Sequence, residues 1–173
     1  MSKFYENYWS DKQGHLSDFK IKWPKLKKFI SLEKEIVIVD FGCGNGQVIK
    51  EMKLMNPGAE FPLNDNSVDF IFSSEVIEHI YDTENAFSEI ARILKPDGKL
   101  LITTPYHGLI KNLLITVLNF NKHFNPTSPH IRFFSKKSLF NLLNRFGFEI
   151  LKYGYYGRFY PIPHSIFVLA EKL

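Results

Sequence analysis

The stretch EIVIVDFGCGNG, residues 35 to 46, constrains the fold of this chain more than any other. Its first seven residues are a β-branched apolar run stopped by glycine, which reads as a buried strand. GQVIKEMKLM, 46 to 55, then reads as a helix that the following NPG ends. A strand, glycines at alternate positions, then a helix is the arrangement in which a ligand comes too close to the backbone for a Cβ, while helix N–H groups point at it. Alone, G-x-G-x-G equally suits a structural turn. Its spacing differs from the dinucleotide pattern G-x-G-x-x-G, and Asp40 directly before the turn suits a cationic amino group better than a pyrophosphate.

Further along, VDFIFSS (68 to 74) is a second buried strand, and TENAFSEIARIL (83 to 94) spaces its apolar residues helically with Thr83 as N-cap. KPDG turns the chain into KLLITTP (99 to 105), a third strand closed by proline. LIKNLLITVLNF (109 to 120) reads as an apolar helix, for which core burial is the simplest use, although with Phe120 and Phe124 it would also suit a lipid-linked or quinone-like acceptor. SKKSLFNLLNRFGF (135 to 148) is a capped helix ending at Gly147. FEILKYGYY and HSIFVLAEK are two final strands joined without a helix. This alternation predicts an α/β domain with a mostly parallel sheet, helices on both faces and an antiparallel terminal hairpin. At 173 residues the chain suits a single domain spanning 1–173.

The ordered set VIVDFGCGNG, FPLNDNSVDFIFSSEVIEH, ILKPDGKLLITTP and HIRFFSKKSLFNLLNRFGFEI resembles the class I S-adenosylmethionine-dependent methyltransferases of the small-molecule type, from residue 35 to the end. The resemblance implies a Rossmann-like methyltransferase fold with S-adenosylmethionine as cofactor. It implies that Asp40 accepts from the cofactor's amino-acid end and that Gly42, Gly44 and Gly46 let the loop pass beneath it. Ser74 and Glu75 would flank the methyl-donating sulfonium and the acceptor. Residues 1–34, with the aromatic FYENYW, would form an amino-terminal helical lid segment, and 106–134 an acceptor-cap insertion.

Against that family one piece is missing. Its usual sheet order is 3-2-1-4-5-7-6, and the second and third strands should lie between the glycine turn and VDFIFSS. Residues 42 to 67 leave room for one helix, since a single parallel crossover takes a dozen residues or more. KLMNPGAEFPLN holds no β-branched run, so a sheet lacking two strands is expected. Glu60 stands near the distance of a ribose-binding acid, or is simply a loop residue. Weak or absent cofactor binding follows, with the first strand left as an apolar edge that a homodimer could cover.

On the acceptor side, Glu75-x-x-Glu78-His79 and the later His130 combine carboxylates with imidazoles, a set suited to a divalent metal. Similar runs serve magnesium in small-RNA 2′-O-methyltransferases and some quinone O-methyltransferases. A metal on Glu75, Glu78, His79 and His130, polar residues of an acceptor pocket, and satisfied structural residues all remain open. Either His79 or His130 could act as catalytic general base. Arg132, Lys136 and Lys137 could meet an anionic acceptor or simply solvate a helix start. The activity expected is methyl transfer to a small-molecule, quinone-like or glycan hydroxyl. The alternatives are a catalytically impaired binding module and an RNA 2′-O-methyltransferase.

Composition narrows the class. One cysteine, Cys43, excludes a disulfide framework, and no apolar run approaches the roughly 20 residues of a membrane-spanning helix. A cytoplasmic protein is expected. The formal charge of +4 mildly favours anionic partners, including an anionic or lipid-linked acceptor; a basic or aromatic platform for RNA is not evident, and no DNA partner is expected. Lys20, Lys22, Lys25, Lys27 and Lys28, spaced beside apolar Phe19, Ile21, Trp23 and Leu26, read as the solvated face of an amphipathic amino-terminal helix.

Overall fold

The computed structural model describes residues 24–30, 36–42 and 63–173. Gly44, Gly46, Glu60, the expected helix 46–55 and the aromatic FYENYW lie outside the described residues. Five strands form one sheet: β1 (Ile38–Asp40), β2 (Val68–Ser74), β3 (Leu94–Pro105), β4 (Phe148–Tyr156) and β5 (Ser165–Lys172). Their spatial order is β1-β2-β3-β5-β4. β1 runs parallel to β2 and β2 to β3, whereas β5 is antiparallel to both β3 and β4. Among the described residues this is the family order 1-4-5-7-6, without a second or third strand. Among the described residues β1 is an edge, and it is held to three residues, which limits the unpaired backbone it offers.

Among the described residues three helices of ten residues or more accompany the sheet: α1 (Thr83–Ile93), α2 (Leu109–His123) and α3 (Lys136–Arg145). α1 begins one residue earlier in capping terms than the sequence suggested: Asp82, not Thr83, is the N-cap, and its carboxylate accepts from the Asn85 N–H at 3.0 Å. α3 starts at Ser135, whose hydroxyl and that of Ser138 each accept from the other's backbone N–H, a reciprocal capping box. It ends before Gly147 at φ +80°, as read from the sequence. β3 starts five residues before KLLITTP. Leu94 pairs with Val68, and the KPDG turn becomes a bulge with Asp97 at φ +62°.

Period-two alternation sorts the sheet's side chains. Ile71, Leu100, Ile102, Ile166 and Val168 face a core shared with Phe87 and Ile90 of α1 and Leu139 and Leu143 of α3. Phe70, Phe72, Leu101, Phe167 and Leu169 face the other way, where Leu26 and Ile30 close over them. Lys25, Lys27 and Lys28 are exposed around buried Leu26, the amphipathic arrangement expected of that segment. Asp69, at the start of β2, clips the sheet: its carboxylate accepts from the Val37 N–H at 2.9 Å and from Lys95 at 2.7 Å. Partial burial opposes ionisation there, but the Lys95 and Val37 bonds hold the carboxyl below its usual pKa.

α2 departs from expectation. It was read as a core helix, yet none of its residues is buried, and it breaks helical geometry at Asn119 (φ −150°, ψ 28°). Asn and the β-branched Ile115, Thr116 and Val117 before it are all weak helix formers. No helix among the described residues is long and apolar enough to cross a membrane.

Candidate active site

β1 and β2 end at the same rim of the sheet, because Asp40 pairs with Phe72 and leaves Ser74 two residues further along. Open α/β sheets place ligands at this carboxyl rim. Past Asp40 the Phe41 N–H still bonds the Phe72 carbonyl at 2.8 Å, and then the chain turns at Gly42, φ +85°. A Cβ on Gly42 would stand 2.3 Å from a methyl of Val76, so only glycine fits. Burial pushes the Asp40 carboxyl up to about 6. Its Oδ2 is buried with no hydrogen-bond partner among the described residues. Such an acceptor is costly to leave unpaired and suits an incoming cationic donor.

Glu75 follows β2 with a left-handed backbone, φ +55°, an uncommon conformation for a residue with a side chain. Its carboxylate is a hub: Thr103 Oγ1 and Tyr156 Oη donate to Oε1 at 3.0 and 2.8 Å, and Ser165 Oγ to Oε2 at 3.3 Å. Ser74 Oγ joins Thr103 Oγ1 at 3.0 Å. Burial, and then the Glu75 charge, push the Tyr156 phenol well above its ordinary range. Glu75 thereby ties the ends of β2, β3, β4 and β5 together. It is spent on this hub rather than grouped with Glu78.

Glu78 and His79 sit on a short 3-10 turn, Ile77–His79. Glu78 is 1% exposed, and its Oε2 accepts from Thr104 Oγ1 at 3.1 Å. The Ile131 and Arg132 N–H groups both bond its carbonyl at 3.0 Å, which brings the segment carrying His130 alongside. His79 Nδ1 donates to the Pro129 carbonyl at 2.9 Å, and its Nε2 stands 3.8 Å from Glu78 Oε1. The His79 and His130 rings meet edge to face at 4.8 Å. One ligand atom from each of Glu78, His79 and His130 lies within 4.8 Å of the others. Ligands bonded at about 2.1 Å stand at most about 4.2 Å apart, so a bound ion would draw the three slightly together.

Three residues that sequence reasoning did not single out line the same side. His107, directly after β3, is 5% exposed, pairs through Nδ1 with Asn112 Oδ1 at 3.1 Å, and is lowered by burial to about 4. Lys111 donates to the His164 carbonyl at 3.0 Å; burial, and then Arg158, lower it to about 8. His123 is lowered chiefly by burial, and its Nε2 has no hydrogen-bond partner among the described residues. The signal for His107 was its place at a strand's carboxyl end. Arg132 and Lys136, candidates for an anionic acceptor, instead bond the Tyr81 carbonyl and the Tyr153 hydroxyl.

Comparison with known proteins points one way. A family described as a methyltransferase domain matches residues 13–153. Phosphoethanolamine N-methyltransferase 2 of Caenorhabditis elegans is 54% identical over 43 residues, 25% of this chain and 10% of that protein. The ubiquinone/menaquinone biosynthesis C-methyltransferase UbiE of Campylobacter jejuni is 26% identical over 82% of this chain and 81% of its own length. Among solved structures, a SAM-dependent methyltransferase from Thermotoga maritima superimposes with TM-score 0.71 at 19% identity, covering 100% of both chains. The match spans only 10% to 33% of the first curated relatives.

Proposed function

Since the chain belongs to the methyltransferase domain family, whose members of this class depend on S-adenosylmethionine, we propose that it transfers a methyl group from that cofactor to the hydroxyl of a small-molecule acceptor, quinone-like or glycan. The observation that carries this reading is Asp40, whose buried Oδ2, without a partner among the described residues, waits at the carboxyl rim beside a glycine that no other residue can replace. These residues fit the amino-acid end of the cofactor. When bound, the cofactor supplies an electrophilic methyl on a sulfonium. Asp40 ionises as it meets the ammonium group and accepts from it. Ser74 and Glu75 set the rim beyond it, with Glu75 acting through the hydroxyls it fixes. Residues 106–134, which supply His107 and His130, cap the acceptor side.

His79 Nε2 or His130 takes the acceptor's proton as the hydroxyl attacks. Alternatively, Glu78, His79 and His130 would hold a divalent ion, which would supply the Lewis acidity that lowers a hydroxyl pKa. The two roles exclude each other for a given lone pair, so chelation separates them: transfer lost on removing metal and restored by adding it assigns the group to the ion.

A second reading, a binding module impaired in catalysis, is favoured by one observation, the place of β1 at the edge of the sheet, with no strand outside it among the described residues. Transfer of a tritiated methyl group to quinol or glycan acceptors, compared between the wild type and Asp40→Asn, tests the first reading. Transfer that the variant loses supports it, and acceptor binding without any transfer supports the second.

A further inference from the structure

α2 is an amphipathic helix turned inside out. Its inward side chains include Lys111 and Asn112, which bond the His164 carbonyl and His107. Its outward side chains are Leu109, Ile110, Leu113, Leu114, Val117 and Leu118, with Leu109, Val117 and Leu118 at 77%, 79% and 76% exposure. At 100° per residue these six fall on one continuous half of the helix. Together they expose on the order of 600 Å² of hydrocarbon, at the top of what a soluble monomer shows as one patch. Phe120 and Phe124, also exposed, with ring centroids 5.1 Å apart and tilted at 46°, extend it past the break at Asn119.

The charge along this part of the chain is mostly basic. From residue 98 to residue 148 there is no aspartate or glutamate, while the same stretch holds seven lysines and arginines, of which Lys99 and Arg145 pair with Glu171 and Glu84. Lys122 closes α2, and Arg158 is near enough to act electrostatically on Lys111. Two copies meeting across this face would bring like charges together, whereas an anionic lipid surface complements both features at once. The helix has 15 residues, too few to span a bilayer and enough to lie in its interface.

We infer that α2 docks on a membrane surface, its leucine and valine face entering the acyl boundary while Lys122 and Arg158 meet anionic headgroups. Long basic side chains can lie along the hydrocarbon and keep their charge among the phosphates. This docking goes beyond methyl transfer and stands without it.

Vesicle co-sedimentation of the full chain tests it, using phosphatidylcholine alone and with about one-third phosphatidylglycerol. The wild type is expected to bind the anionic vesicles at least about tenfold more tightly, an advantage that shrinks with salt. Leu113→Glu with Val117→Glu should lower binding by about a hundredfold. Both side chains are exposed, so the circular dichroism should hold. Val117→Trp gives an independent readout, a blue shift relative to wild type when anionic vesicles are added. Equal binding to both vesicles, unchanged binding by the double variant, or no tryptophan shift would overturn the inference. So would a wild-type dimer that the double variant makes monomeric while neither protein binds vesicles, since a second copy would then cover the face.

Discussion

Asp40 answers to two opposed demands. Its folded pKa, about 6, lies above the ordinary 3.8, so between those values the native state keeps a proton that the unfolded chain has released. Stability therefore falls as pH rises through that window, and the ionised carboxylate is a burden at neutral pH. A shift of this size corresponds to roughly 3 kcal/mol, and residual solvent contact brings it to about 1–2 kcal/mol. Asp40→Asn should thus raise stability by that amount in urea denaturation near neutral pH while abolishing cofactor binding. In the wild type, cofactor affinity should climb as pH rises through about 6, because the ammonium group needs the ionised form. Calorimetry in buffers of different ionisation enthalpy would show the released proton. Glu75 is the converse case, a carboxylate serving structure. Glu75→Ala strands the hydroxyls of Thr103, Tyr156 and Ser165 and should cost about 1–3 kcal/mol, read as a lower thermal midpoint.

The helix ends give a sharper test at the next scale. Asp82→Ala should destabilise by about 1 kcal/mol through loss of the α1 cap, whereas Thr83→Ala should stay within about 0.5 kcal/mol, both by denaturant titration. β2 and β4 could be bounded from sequence to the residue, because each is an apolar or aromatic run ended by a turn. The start of β3 could not. Asp97 and Gly98 look like a turn, and only the partner strand decides that the chain resumes pairing through a bulge. α2 was misjudged for a related reason: hydrophobic spacing reveals that a helix has an apolar face, but not which way it points. Here the tether of Lys111 to His164 and of Asn112 to His107 turns that face outward. The same blindness hid His107, Lys111 and His123, whereas Asp40, Ser74 and the Glu78-His79 pair were legible as residues in a recognisable order.

Over the whole molecule, the described strands are those that would carry the methionine side of the donor and the acceptor under the proposed function, and β1 stands at the edge of the sheet. If the adenosine half of the pocket is weakened accordingly, S-methylmethionine should bind within about tenfold of S-adenosylmethionine, since each lost sugar bond is worth only about 0.5–1.5 kcal/mol. A low-micromolar affinity for the full cofactor alone would contradict that. The same compactness leaves no slack at Gly42. Its Cα hydrogen rests where a methyl would strike Val76, and Val76 leads into the turn bearing Glu78 and His79. Whatever displaces the donor loop must therefore push on the imidazole side as well. The two ends of the cleft are meshed like adjoining cogs, and Gly42→Ala should perturb histidine chemistry that it never touches.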